Sequence, residues 1–259
     1  QDLLICNVGT APLTWELSEV PDGNGPESGS LWDTGVLVQT FADHSGFTPI
    51  SADSNGTYLF TVSGGSSSGN RLARYLPDGT FSASFAPGID FRSIDTDNGG
   101  ALYAKSYLDS FYALTPDGAA TLLFSLPGVD TQSSAALSGD DSELYLRSGA
   151  TVRRHSAVTG AYLGQFTLNG MSGAELAYPA YIQMDTDRTG RLFTYAGGVV
   201  SEWDLAGNRI GSSTVPIATP SGFDTTFSFA VDGDGFVYLL NESTGNWEVY
   251  DIGAADQGI

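Results

Sequence analysis

Four acidic residues recur at matching places along the chain. They are Asp90 in Gly88-Ile89-Asp90, Asp130 in Gly128-Val129-Asp130, Asp224 in Gly222-Phe223-Asp224 and, more loosely, Glu175 in Gly173-Ala174-Glu175. Carboxylates gathered into a ring raise one another's pKa or attract a cation. Taken singly, the same residues cap backbone turns, and both uses stay open at this point. Tyr178, Tyr181 and Phe223 stand in the two longest loops of the same set, 169–181 and 214–225. Aromatic rings beside carboxylates and amides suit a sugar or a peptide, and core packing is the other use of such rings. These seven residues form the candidate ligand-binding face.

A second acidic pattern has the look of a metal loop. Asp95 and Asp97 sit in Asp95-Thr96-Asp97-Asn98-Gly99, Asp185 and Asp187 in Asp185-Thr186-Asp187-Arg188-Thr189-Gly190, and Asp232 and Asp234 in Asp232-Gly233-Asp234-Gly235. Calcium loops alternate carboxylates around a glycine turn, but they need six to eight oxygens and usually end in a bidentate acid. That closing acid is missing at the expected distance in all three. Calcium is the cofactor these loops would take, and the ordinary tight turn is the competing reading. No other cofactor is expected.

Catalytic motifs are sparse. His44 and His155 lie in unrelated contexts, without a paired-histidine metal spacing. The run Gly64-Gly65-Ser66-Ser67-Ser68-Gly69 reads as a flexible loop, with no nucleophile elbow. Lys105 is the only lysine and sits away from the glycine-rich stretches, so there is no phosphate-binding loop. The expectation from motifs is therefore no enzyme.

The elements that position these residues repeat. A turn followed by a short aromatic strand recurs as Gly56-Thr57-Tyr58-Leu59-Phe60, Gly100-Ala101-Leu102-Tyr103, Ser142-Glu143-Leu144-Tyr145, Gly190-Arg191-Leu192-Phe193 and Gly235-Phe236-Val237-Tyr238. The starts fall 44, 42, 48 and 45 residues apart, within the range that marks propellers and solenoids. Each is followed by a tight reversal such as Leu76-Pro77-Asp78-Gly79 or Thr115-Pro116-Asp117-Gly118. Alternating runs between these marks, Arg71-Leu72-Ala73-Arg74-Tyr75 among them, predict half-buried strands. Each unit supplies four short antiparallel strands, and no window carries a capped helical period. The fold class is all-β, a single propeller over 31–259. Its last unit lacks a fourth strand, and residues 31–41 supply one, giving five blades closed by the N-terminal strand. Six blades are the alternative, with Leu3–Val8 and Leu13–Val20 building an extra one.

Residues 31–253 resemble bacterial secreted β-propellers of the NHL-repeat and gluconolactonase-like kind, through the DxxGxLY and PDG marks quoted above. Gluconolactonase-like enzymes use a Glu and Asn/Asp metal set inside the channel, and that set does not map onto this chain. The stretch Ile5-Cys6-Asn7-Val8-Gly9-Thr10-Ala11-Pro12-Leu13-Thr14-Trp15 resembles immunoglobulin-like modules of large bacterial extracellular proteins. Both resemblances imply an exported protein.

Composition narrows the classes. With 10 Lys+Arg against 30 Asp+Glu the net charge is −20, a field that repels nucleic acids and anionic membranes. Only 15% of residues are charged, against roughly 25% in an average soluble domain, which suits a cell-surface or extracellular setting. Cys6 is the single cysteine, so no intrachain disulfide forms. No apolar run is long enough to span a membrane. Gln1 opens the chain without signal-peptide features, so an extracellular location requires an export signal already removed. Residues 1–30 read as a hairpin extension, and Leu3, Leu4, Ile5, Leu13 and Trp15 make it too apolar to stand free in water. The expectation is a non-enzymatic structural or adhesive propeller that self-associates or joins a neighbouring extracellular protein through this segment. A carbohydrate- or peptide-binding propeller is the alternative, and a channel-metal hydrolase or lactonase the third reading.

Overall fold

The computed structural model describes residues 31–46, 48–65, 68–217 and 228–254. Strand β1 (Val36–Ala42) opens them. The next four strands, β2 (Thr48–Ser54), β3 (Leu59–Gly64), β4 (Leu72–Tyr75) and β5 (Phe81–Phe85), pair antiparallel in chain order. The same order recurs in β6 (Phe91–Thr96), β7 (Leu102–Ser106), β8 (Ser110–Leu114) and β9 (Ala120–Ser125). A third sheet holds β10 (Ala136–Leu137), β11 (Glu143–Ser148), β12 (Thr151–Ser156) and β13 (Tyr162–Thr167). A fourth holds β14 (Asp185–Thr186), β15 (Leu192–Ala196), β16 (Val199–Trp203) and β17 (Arg209–Thr214). The fifth runs β18 (Phe229–Val231), β19 (Val237–Asn241), β20 (Asn246–Asp251) and then β1. These are the five blades of an all-β propeller. A single 3-10 turn at Ala180–Ile182 is the helical content among the described residues.

The chain start thus closes the last blade, as the missing fourth strand required, and the six-blade alternative is set aside. β1 lies antiparallel on β20 with Phe41 opposite Trp247. The expected N-terminal hairpin over 1–30, with Leu3, Leu4, Ile5, Leu13 and Trp15, lies outside the described residues, as does Cys6.

Burial follows radial position. The inner strand β6 is buried at every residue and the outer strand β9 is exposed at five of six. Inner strands are covered on both faces by neighbouring blades, so they read as continuous runs; the second strands β3, β15 and β19 are likewise buried throughout, and mixed burial marks third strands such as β12. The core accordingly lies between blades: Phe60, Val62 and Leu72 of the first pack on Phe91, Ile94 and Leu102 of the second.

Two tiers of side chains latch adjacent inner strands. In the upper tier Ser51 Oγ accepts from Ile94 N (3.3 Å), Ser93 Oγ from Ala135 N (3.0 Å) and Ser134 Oγ from Met184 N (3.1 Å). Ser228 Oγ donates to Pro49 O (2.5 Å), joining the fifth blade to the first. In the lower tier Asp95 Oδ2 accepts from Leu137 N (2.6 Å) and Asp185 Oδ2 from Val231 N (3.0 Å).

Burial pushes the Asp53, Asp95 and Asp185 carboxyls well above the usual carboxylate range, and mutual repulsion adds to it. Asp232 is pushed up to about 6, again chiefly by burial. A folded pKa above the unfolded one means that the native state holds the extra proton, so these four groups favour folding at low pH and lose that contribution as pH rises. Exposed Asp140 works the other way: hydrogen bonds from Ser142 and Ser138 hold it down at about 2. The melting temperature should therefore rise as pH is lowered from 7 to 5 and fall again once the low-pKa carboxylates protonate, below about pH 4. A calorimetric pH series checks this, and a flat or falling midpoint between pH 7 and 5 contradicts it.

Candidate functional site

Loops that lead into the inner strands gather at one mouth of the central channel, together with the turns between second and third strands. Ile50 and Ile182 are buried against each other there, with Tyr181 packed on them, and make an apolar floor. Above the floor a cavity of about 340 Å³ opens between Thr48 and Ile50 of the first blade, Asp90, Arg92 and Tyr107 of the second and Gln132 of the third. A second groove of about 590 Å³ continues outward over the second blade past Ser106, Leu108 and Tyr112, sharing Gly65, Asp90 and Tyr107 with the first.

Arg92 organises the cavity. Its Nη1 donates to Asp90 Oδ1 (2.5 Å) and to Phe91 O (2.6 Å), and its Nε donates to Gln132 Oε1 (2.6 Å). The guanidinium carbon lies 4.9 Å from the centroid of the Tyr107 ring. Asp90 Oδ1 also accepts from Gly65 N (2.7 Å). The geometry leaves one atom of each partner lightly held: Arg92 Nη2 and Asp90 Oδ2 meet at only 3.5 Å. A strong donor and an anionic acceptor therefore stand side by side at the cavity, each fixed through its other atoms.

Of the acids the sequence singled out, Asp90 lines this cavity, and Asp130 stands in the loop that carries Gln132. Asp130 Oδ1 accepts from Gln132 N (3.0 Å) and its Oδ2 from Ser148 Oγ (3.3 Å), so it shapes the loop that carries Gln132. Tyr178 is half-exposed, its hydroxyl is raised first by burial and then by Tyr181, and Arg92, Asp130 and Tyr107 all act on it. It stands at the same mouth, its ring 5.7 Å from that of Tyr181. Glu175 does not join the ring: it is buried in the fourth blade, where Arg209 Nη2 reaches both its oxygens at 2.7 Å and Ser201 Oγ donates at 3.2 Å. Burial pushes its carboxyl up, and the Ser172 N–H and Arg209 outweigh that and hold it low. Phe223 and Asp224 lie outside the described residues.

The six carboxylates of the calcium-like loops all have protein partners. Asp97 Oδ1 accepts from the N–H groups two and four residues on, Gly99 and Ala101, both at 2.9 Å. Asp187 does the same with Thr189 and Arg191, and Asp232 with Asp234 and Phe236, all at 3.0–3.1 Å. Asp95 and Asp185 latch neighbouring blades, and Asp234 pairs with Arg188 at 2.8 Å. In these three blades the acidic mark therefore locks its own turn at the foot of the blade, as Asn55 does in the first. Among the described residues no group of three or more His, Cys, Asp or Glu is arranged to hold a metal ion. At the mouth, the positive charge beside Asp90 is a guanidinium. The described residues do not fit the channel metal that the gluconolactonase-like resemblance implies.

Sequence reasoning missed Arg92, Tyr107 and Gln132. A usable signal existed: Arg92 stands two residues after Asp90, close enough to pair with it, in a chain with only 10 basic residues.

No protein-family model matches the sequence, and no curated protein matches it. Solved structures do. Glutaminyl cyclase from Myxococcus xanthus aligns with TM-score 0.59 at 13% identity, over 86% of this chain and 99% of that one. A gluconolactonase from Xanthomonas campestris aligns with TM-score 0.53 at 12% identity, over 86% and 98%. At these identities the likeness is one of fold. Both neighbours are enzymes, which overturns the expectation of a non-enzymatic structural or adhesive module and, with it, the motif-based expectation of no enzyme.

Proposed function

We propose that the chain is an exported enzyme that opens a small lactone at the channel mouth by adding water to its acyl carbon. The observation that carries this reading is the Asp90–Arg92 pair, which lines the cavity and whose Oδ2 and Nη2 meet at 3.5 Å. Asp90 Oδ2 takes a proton from the attacking water as the new carbon–oxygen bond forms, a step that geometry must set before pKa matters. Negative charge grows on the carbonyl oxygen, and the pre-positioned Arg92 Nη2 donates to it. The ring carbon–oxygen bond then breaks, and Asp90 returns the proton to the leaving alkoxide, so the products are a hydroxyl and a carboxylic acid, which releases the second water proton to solvent as it ionises. Thr48, Tyr107 and Gln132 supply hydroxyl and amide groups suited to a hydroxylated ring, over the apolar Ile50.

The names of the two structural neighbours support an acyl centre. A gluconolactonase acts on a lactone, and a glutaminyl cyclase closes a ring at a carboxamide; both reactions add a nucleophile to an acyl carbon. The lysine-poor acidic surface supports export.

Proton release from a panel of aldonolactones tests the reading directly, run beside ammonia release from glutaminyl peptides. Lactone opening that persists in excess chelator is expected, because Arg92 supplies the positive charge. Ammonia release without lactone opening would move the substrate class to carboxamides, and activity on neither would remove the proposal.

A further inference from the structure

Lys105, the chain's only lysine, is fully buried on β7, behind the wall of the cavity. Its Nζ donates to Thr131 O (3.0 Å), Ser106 O (3.2 Å) and Asp130 O (3.5 Å). Asp109 Oδ1, itself buried and without a hydrogen-bond partner, faces it at 3.9 Å from the β7–β8 turn. Two of the three carbonyls belong to the loop that carries Gln132, whose Oε1 receives Arg92 Nε at 2.6 Å.

The next blade repeats the device with a different cation. Arg147, buried on β11, donates to the carbonyls of Gly149 (2.8 Å), Ala180 (2.8 Å), Gln183 (3.0 Å) and Glu175 (2.6 Å), gathering the loop that leads to β14. A buried cation on the second strand thus holds the approach to the following blade in both cases. Arginine remains charged at any working pH, and a buried lysine does not.

Resting on the channel-mouth reading above, we propose that Lys105 is a positioning residue for the Arg92–Asp90 pair: its ammonium gathers the Asp130–Thr131 carbonyls and so holds the Gln132 amide where it orients Arg92. A neutral amine presents a lone pair to those carbonyls, and the charge–dipole attraction that draws them together is gone. Burial brings the ammonium down to about 8; Asp109, Asp130 and Asp90 oppose that shift, and Arg92 adds to it. Because the folded value lies below the unfolded one, deprotonation above pH 8 relieves the buried charge and this group's contribution to stability rises with pH. Activity should then fall on the alkaline side while the fold does not weaken on account of Lys105, a divergence that a merely structural lysine does not produce.

Selective carbon-13 labelling of lysine gives a single side-chain signal in this chain, so the titration can be read without substrate. The expected result is a midpoint near 8, with the Arg92 Nε–H resonance moving at the same midpoint. In Lys105→Met that resonance should shift, and kcat/KM at pH 7 should fall by about 10- to 100-fold. Lys105→Arg, copying the neighbouring blade, should keep more of its pH 7 activity at pH 9.5 than the wild type does. An Arg92 resonance that stays fixed through the lysine titration overturns the proposal, and so does a midpoint near 10. The wild-type titration decides even if a variant fails to fold. Absence of turnover on any acyl substrate overturns the functional reading and leaves the lysine–arginine coupling standing.

Discussion

Arg92→Met should lower kcat/KM on an opened lactone by about 100- to 1,000-fold, the range seen when a pre-positioned oxyanion donor is removed. Methionine approximates the length and apolar stem of arginine and keeps contact with Tyr107, so packing changes little. Every polar contact of the guanidinium disappears: the bonds to Asp90 Oδ1, Phe91 O and Gln132 Oε1, together with the long one from Nη2 to Asp90 Oδ2. Arg92→Lys isolates geometry from charge. A lysine restores the positive charge but cannot hold Asp90 and Gln132 with one rigid fork, so it should recover only part of the loss. Asp90→Asn tests the other partner, since the amide oxygen can still accept from Gly65 N while the base is gone. Steady-state kinetics with melting temperature as the control separates chemistry from folding. A kcat/KM within threefold of wild type in Arg92→Met, at unchanged stability, places the reaction elsewhere.

The largest stability effect should come from Trp247→Ala, at about 3–5 kcal/mol. Trp247 is fully buried on β20 among Phe41, Tyr75 and Leu240, where the first and last blades meet. Its Nε1 donates to Asp43 Oδ1 (2.9 Å). That oxygen also accepts from Ser45 Oγ (2.8 Å) and Thr61 Oγ1 (3.2 Å), so one carboxylate ties the connection after β1 to the first and fifth blades. Removing the indole therefore opens a cavity and loosens the non-covalent closure at once. Among the described residues the ring closes through β1 on β20, the Ser228–Pro49 bond and this corner, so the loss should appear as early release of β1 in hydrogen exchange as well as a lower urea midpoint. A cost under about 1 kcal/mol, an ordinary value for a point mutation, would show that closure does not depend on this corner.

Much of the architecture was legible because a propeller repeats short-range information. Turn chemistry, period-2 alternation and the spacing of the aromatic strands are local properties, and five copies of them outweigh noise in any one. The same repetition leaves turn lock and metal loop alike in the sequence. Asp97, Asp187 and Asp232 lock the foot turns of three blades, where Asn55 serves the first, and repeated acids look alike whether they serve a backbone or an ion. The mouth acids show the same limit. Asp90 lines the cavity and Asp130 pairs with Gln132 N and Ser148 Oγ, while Glu175 finds Arg209, a partner 34 residues away that no spacing rule points to.

By itself, the sequence determined the all-β class and the blade unit, since both follow from alternation and turn residues within one repeat; it favoured five blades closed by residues 31–41, and the five sheets of the structure decided that count against six. Only the tertiary structure decided which side chains meet at the channel mouth. Arg92, Tyr107 and Gln132 come from two blades and are separated by up to 40 residues, and the lone lysine acts through carbonyls of the next blade. Contacts of that kind depend on how blades pack around a common axis. The chain encodes that packing in the sum of its buried surfaces, and no short motif carries it.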